Sequence, residues 1–184
     1  MRAWAAGPVH WLMLPAERAE LARLANEGEA AIFVTEFWRR RDPDPLGDGN
    51  AARRRFEERV AAADRHYGEA GTRGSLTARG GALILLGPPH VLRQERRPVP
   101  AWQAVRGRGA PMAVRRMAIE TWEYRLDDLP DGLALLLRAR GEQRVALVFA
   151  VGERVKLIDG DRFLGWAAEA TVRLAPAADA RSPT

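Results

Sequence analysis

The chain contains no cysteine, which excludes disulfides, thiolate nucleophiles, CxxC redox chemistry and zinc–thiolate sites. Lysine is almost absent: Lys156 is the only one, and arginine carries the rest of the Lys/Arg charge. Together with the abundance of Ala, Gly and Pro, this bias reads as the mark of a GC-rich coding sequence. The basic pI therefore reflects codon usage as well as charge. Histidine is sparse. His10, His66 and His90 lie far apart without ligand-like spacing, so no metal is expected. Long hydrophobic runs are missing too: the longest, near Ala82–Leu86 and Val145–Val151, fall far short of the roughly 20 residues of a spanning helix. The first residues, MRAWAAGPVHWLMLP, are interrupted by Gly7, Pro8 and His10 and lack a clean signal-peptide core. As written, the chain is expected to be soluble and cytoplasmic; an upstream leader would make it extracytoplasmic.

Catalytic and cofactor signatures are also lacking. Ser75 in GSLTARG has no G-x-S-x-G elbow around it. Gly80-Gly81 and Gly107-Arg108-Gly109 do not sit in a strand–glycine–helix unit, so neither ATP nor NAD has support, and no cofactor is expected. Asp42, Asp44, Asp48 and Asn50 crowd one loop, but an EF-hand register from Asp42 would place Leu46 at position 5 and Arg53 at position 12. Turn chemistry accounts for these residues better than a cation does. Asp127, Asp128 and Asp131 surround Pro130 and Gly132, and read as a turn between two strands. These absences lean away from catalysis.

What is present points to an α+β domain. A chain of 184 residues can bury a core of its own, and residues 1–175 are read as a single domain with a flexible tail at 176–184. The helical part is placed at 12–68. Pro15 suits a first helical position, with Glu17 in the first turn. Ala31, Val34, Thr35 and Trp38 fall at helical spacing, with Phe37 widening the stripe. The helix must stop before Pro43. The segment FWRRRDPDPLGDGN then turns a corner, and Asn50 is placed to cap a helix buried along Phe56, Val60, Ala63 and Tyr67. Arg53 to Arg55 are read as a solvated face paired with Glu57 and Glu58.

The sheet part is placed at 80–160. ALILLG (82–87), IETWEYRL (119–126), LALLLRAR (133–140), RVALVFAV (144–151) and VKLID (155–159) are expected strands, and RFLGWAAEA (162–170) a short closing helix. In 119–126 the alternation puts Glu120, Trp122, Tyr124 and Leu126 on one face. Short connections imply mostly antiparallel pairing. Helices first and strands after give an α+β fold, N-terminal helices packed on a mostly antiparallel C-terminal sheet. Trp38, Phe56, Val60, Leu83, Leu85, Trp122 and Tyr124 are the expected shared core.

The order of these features resembles the GWxTD domain family of bacterial proteins. Phe37-Trp38, Arg41-Asp42-Pro43 and Pro45 are similar to its FW–RDP–P segment, and Asn50, Phe56, Arg59, Val60, Ala63 and Tyr67 to the helix after it. Thr77, Arg79, Gly80 and Leu83 to Pro89 resemble its TDRG–strand–GPP segment, and Glu120, Trp122 and Tyr124 its W-x-Y strand. The chain departs from the family at Ser75 and Ala78, which replace the name-giving Trp and Asp, and at His90. The family carries no established reaction, so the resemblance implies a fold and no chemistry.

The leading expectation is a non-catalytic interaction module, its partner a protein. The alternative is an enzyme or ligand-binding site at a corner where Arg41, Asp42, Thr77 and Arg79 converge, the polar residues that the resemblance holds in place. A second alternative uses charge. From His90 to Met117 seven arginines stand against one acid, giving +6; the whole chain carries +5, so the remainder is −1. Residues 91–117 are read as a long Arg-rich loop, with Arg93, Arg96, Arg97, Trp102, Arg106, Arg108, Arg115 and Arg116 facing an acidic protein or lipid surface. Nucleic acid is the less favoured partner, and no transmembrane segment is expected.

Overall fold

Local capping chemistry starts most of the helices. In the computed structural model, which describes residues 2–44, 46–100, 114–152 and 154–173, seven helices pack with a four-stranded antiparallel sheet. Helix α1 is Arg2–Ala5. Pro15 opens α2 (Pro15–Arg23), and the Glu17 carboxylate accepts the Leu14 N–H at 3.0 Å, as a first-turn acid should. Asn26 caps α3 (Glu27–Arg39) by accepting the Glu29 N–H at 2.9 Å. Asn50 caps α4 (Ala51–His66) by accepting the Arg53 N–H at 2.8 Å, and its amide donates to the Trp38 carbonyl at 2.7 Å. One residue thus starts α4 and ties it to the end of α3.

The expected strand at 82–87 is instead a helix, α5 (Ala78–Leu86). Thr77 starts it, accepting the Gly80 N–H at 3.1 Å, and Gly87 at φ +85° stops it. Every residue from Gly80 to Leu86 is buried, so no polar face betrays the helical period. The expected strand at 133–140 is likewise a helix, α6 (Asp131–Ala139). Leu133, Ala134 and Leu137 are buried while Leu135 is exposed, a 3.6-residue period that a run of leucines hid. The Asp127/Asp128 stretch forms a 3₁₀ turn (Leu126–Asp128), and Asp131 sits in the first turn of α6, so these acids do not join two strands. The closing helix α7 (Asp161–Arg173) stands where 162–170 predicted it.

The strands are β1 (Val91–Pro100), β2 (Val114–Arg125), β3 (Arg144–Val151) and β4 (Lys156–Asp159), in the order β1-β2-β3-β4. The Arg-rich "loop" at 91–117 is therefore corrected at both ends: β1 and the start of β2 occupy residues 91–100 and 114–117. Strand β1 escaped notice because Arg93, Glu95, Arg96 and Arg97 erase any apolar alternation and Pro98 and Pro100 interrupt it, which an edge strand tolerates. The centre of that loop lies outside the described residues, as does the tail at 176–184. No helix among the described residues is long and apolar enough to cross a membrane.

The alternation in β2 is as read. Glu120, Trp122, Tyr124 and Leu126 are all buried, and opposite them stand Phe149, Leu147 and Val145 on β3. Trp38, Leu83, Leu85, Trp122 and Tyr124 are buried in one core; Phe56 packs against it and Val60 is half-buried. The stripe on α3 is shifted by one residue from the expected one: Ala30, Phe33, Phe37 and Trp38 are buried, while Ala31 and Thr35 are exposed. The two phenylalanines remove more apolar area from water than Val34 and Thr35 can, and they set the helix rotation.

Close backbone approach welds α4, α5 and the N-terminal segment together. A Cβ on Gly80 would stand 1.9 Å from the Gly74 carbonyl oxygen, and one on Gly81 would stand 2.5 Å from the Trp11 ring. Trp11 in turn donates its indole N–H to the Ser75 carbonyl at 2.9 Å.

Candidate functional site

The four corner residues are divided between two sets of partners. Arg41 is buried against Glu17: Nη1 donates to Oε1 at 2.9 Å and Nη2 to Oε2 at 2.7 Å. The same guanidinium donates to the Phe37 and Leu12 carbonyls and stacks 3.6 Å from the Phe37 ring centroid. Burial pulls its pKa below the ordinary arginine value, with Glu17 opposing. Four hydrogen bonds and a stacked ring hold Arg41 as a clamp between α2 and α3. Asp42 accepts the Asp44 N–H at 3.2 Å, the local turn bond expected of it. Thr77 donates its hydroxyl to the Gly74 carbonyl at 2.8 Å and caps α5. Arg79, in the first turn of α5, faces a different pair of acids. None of the described partners of Arg41 is shared with Arg79.

Those acids are Glu69 and Glu120. Arg79 Nη1 lies 3.6 Å from Glu120 and Nη2 3.8 Å from Glu69, ion-pair distances too long for direct hydrogen bonds. Glu120 is 2 % exposed and fully engaged: it accepts the Trp122 indole N–H at 2.6 Å and the Gln94 amide at 3.0 Å. Glu69 accepts the Val155 N–H at 3.1 Å, which pins the β3–β4 connection to the helical half. The Arg79 guanidinium also stands 5.3 Å from the Tyr67 ring centroid, and Tyr67 packs 5.3 Å from Trp122. Burial, then Glu120, push the Tyr67 hydroxyl upward, and Arg79 opposes them. Two carboxylates and one guanidinium leave the cluster with a formal charge of −1. Sequence reading missed Glu69 altogether. It put Glu120 on the buried face of β2 without drawing the consequence, since a carboxylate among Trp122, Tyr124 and Leu126 needs a cation.

The arginines of the former loop fall on both faces of the β1–β2 ribbon. Opposed positions share a face, so Arg93 and Arg97 lie on one side and Arg96 and Arg116 on the other; the side chain of Arg115 lies outside the described ones. Arg93 pairs with Glu123 at 3.3 Å and Arg97 with Glu95 at 3.8 Å, both exposed. Arg96 and Arg116 are exposed, occupy diagonal positions, and have no acidic partner among the described residues. Trp102, Arg106 and Arg108 lie outside the described residues. Arg53 pairs with Glu57 at 2.8 Å as expected, whereas Arg54 donates to the Asp48 carbonyl at 3.0 Å. Among the described residues no group of three or more His, Asp or Glu side chains is placed to hold a metal ion.

Comparison of the chain with protein-family models, with curated proteins and with solved structures found no match.

Proposed function

We propose that this chain is a non-catalytic interaction module that recognises an acidic protein segment along the β1–β2 ribbon. The observation that carries the reading is Arg96 and Arg116, two exposed arginines without acidic partners among the described residues, on one face of the β1–β2 pair where it leaves the sheet. Strand β2 pairs with β3 only from Ala118 to Arg125, so residues 97–100 and 114–117 run on as a ribbon beyond the sheet. Strand β1 is the sheet edge, where a partner can approach. Arg93 and Arg97, held only by exposed ion pairs, are free to exchange those acids for a partner's at little cost. The resemblance to GWxTD proteins belongs to this proposal through Thr77, Arg79, Gly80 and Gly87, which serve here as cap, ion-pair partner, close-packed glycine and helix stop.

Fluorescence anisotropy tests it with two labelled probes of equal charge: a Glu/Asp-rich peptide in extended conformation and a single-stranded oligothymidine. The peptide should bind, and Arg96→Glu with Arg116→Glu should weaken it by about tenfold or more. Tighter binding of the oligothymidine, with a steep salt dependence, would make the ribbon a nucleic-acid surface instead. Peptide affinity unchanged in the double variant would refute the ribbon as the binding face.

A further inference from the structure

Away from the ribbon, α4, α5, α6 and α7 enclose a cleft of about 170 Å³. Its apolar floor is built from Trp38, Phe56, Leu85 and Leu133, and Arg55 and Arg59 stand on its wall. Arg41 also reaches the cleft, but Glu17 neutralises it.

The other two cations are not neutralised. Arg59 uses Nη1 alone, donating to the Ile84 carbonyl at 2.9 Å and the Leu85 carbonyl at 3.3 Å, at the end of α5. The helix terminus offsets part of its charge, about half a unit at most. No carboxylate pairs with Arg59 among the described residues, and its remaining donors are unused there. Arg55, one turn earlier on α4, has no ion-pair partner among them either. The two charges repel: burial first, and then Arg55, lower the pKa of Arg59.

Arg59, largely buried beside hydrocarbon and without a carboxylate, is unfavourable until an anion joins it, and exposed Arg55 adds its charge at the mouth. The guanidinium fork matches a planar carboxylate. The volume limits the rest of the ligand, because a cavity of about 150 Å³ takes a single benzene ring. Inorganic phosphate would satisfy the arginines but leave the floor wet. A neutral arene would fill the floor but leave the arginines unpaired.

We infer that this cleft binds a small carboxylate carrying one aromatic ring or a branched alkyl group of similar bulk. The carboxylate meets Arg55 and Arg59, and the apolar body rests on Trp38, Phe56, Leu85 and Leu133. The inference is independent of the ribbon and of its partner.

Isothermal titration of the full chain with phenylacetate, 2-phenylethanol and inorganic phosphate tests it. Phenylacetate should bind at least about tenfold tighter than either comparison ligand, the difference expected of one charge-assisted contact. Arg55→Gln, at an exposed position, should weaken phenylacetate by about tenfold and leave the unfolding midpoint unchanged. Thr171→Trp, at the rim, should fill the cleft and abolish binding, with circular dichroism reporting that the variant is folded. Equal affinity for 2-phenylethanol would overturn the carboxylate assignment. No heat with phenylacetate, or full affinity in Arg55→Gln, would overturn the site.

Discussion

Glu17 and Arg41 meet as a two-pronged ion pair inside the protein, with side chains 4 % and 1 % exposed. The pair joins the first turn of α2 to the end of α3, and the Leu12 carbonyl on the same guanidinium brings in the N-terminal segment. Removing Glu17 strands the Arg41 charge, and removing Arg41 leaves buried Glu17 with only Arg40 at 4.0 Å. Arg41→Met and Glu17→Gln should therefore each cost about 3–5 kcal/mol in urea unfolding. The double variant should cost clearly less than the sum, because it leaves no orphaned charge. Additive losses would mean that the two side chains act separately.

Trp122 separates packing from hydrogen bonding. It is fully buried, and its N–H is a donor to Glu120. Trp122→Ala should cost about 3–5 kcal/mol through the cavity. Trp122→Phe keeps much of the volume but removes the donor, and should cost about 1–3 kcal/mol. A melting temperature unmoved by either change would mean that β2 does not present this face to the core.

Two glycines should respond differently to alanine. At Gly80 the added methyl meets the backbone of Gly74, which cannot swing away, so Gly80→Ala should cost about 3 kcal/mol or prevent folding. At Gly141 nothing lies within 4 Å, and only the positive φ of +77° opposes a side chain. Gly141→Ala should cost about 1–2 kcal/mol. Denaturant midpoints of the two variants provide the comparison, and equal losses would argue against the close packing of α5.

Asp64 supplies a pH dependence. It accepts the Ser75 N–H at 2.8 Å and pairs with Arg73. Burial alone pushes its carboxyl up, but hydrogen bonding from Ser75 and the charge of Arg73 outweigh it and hold the pKa below the usual value of 3.8. A depressed carboxylate stabilises the folded state above its unfolded pKa, and that contribution is lost as pH falls through the folded pKa. Asp64→Ala should cost about 1 kcal/mol at neutral pH, a modest figure because Arg73 is exposed. The gap from the unsubstituted protein should be constant above about pH 5 and narrow as the pH falls below the ordinary carboxylate value of 3.8. A gap that widens in acid would contradict the sign.

Local chemistry was legible before any tertiary contact was known. Pro15, Asn50 and Pro43 carry their signals within a few residues, and α2, α3 and α4 start or stop near those marks. The face of β2 that holds Trp122 and Tyr124 was legible for the same reason, since its alternation has a period of two. These features made α+β the right class.

What tertiary structure alone decided falls where a local pattern says too little. ALILL and LALLL are apolar throughout, and burial on all sides makes α5 helical while one exposed leucine reveals α6. Strand β1 has four charged residues in its middle and no apolar alternation, and only its ladder to β2 makes it a strand. The sites were less legible still. Arg41 and Arg79 looked like neighbours because one motif order contained both, yet folding gave one to Glu17 and the other to Glu69 and Glu120. Arg53 to Arg55 were read as a solvated helix face, and Arg55 is exposed, but only the packing of α5, α6 and α7 makes it and Arg59 the wall of a cleft. A periodic pattern records which side of an element avoids water. Pairing between charges depends on distance in space, which is set only when distant elements pack.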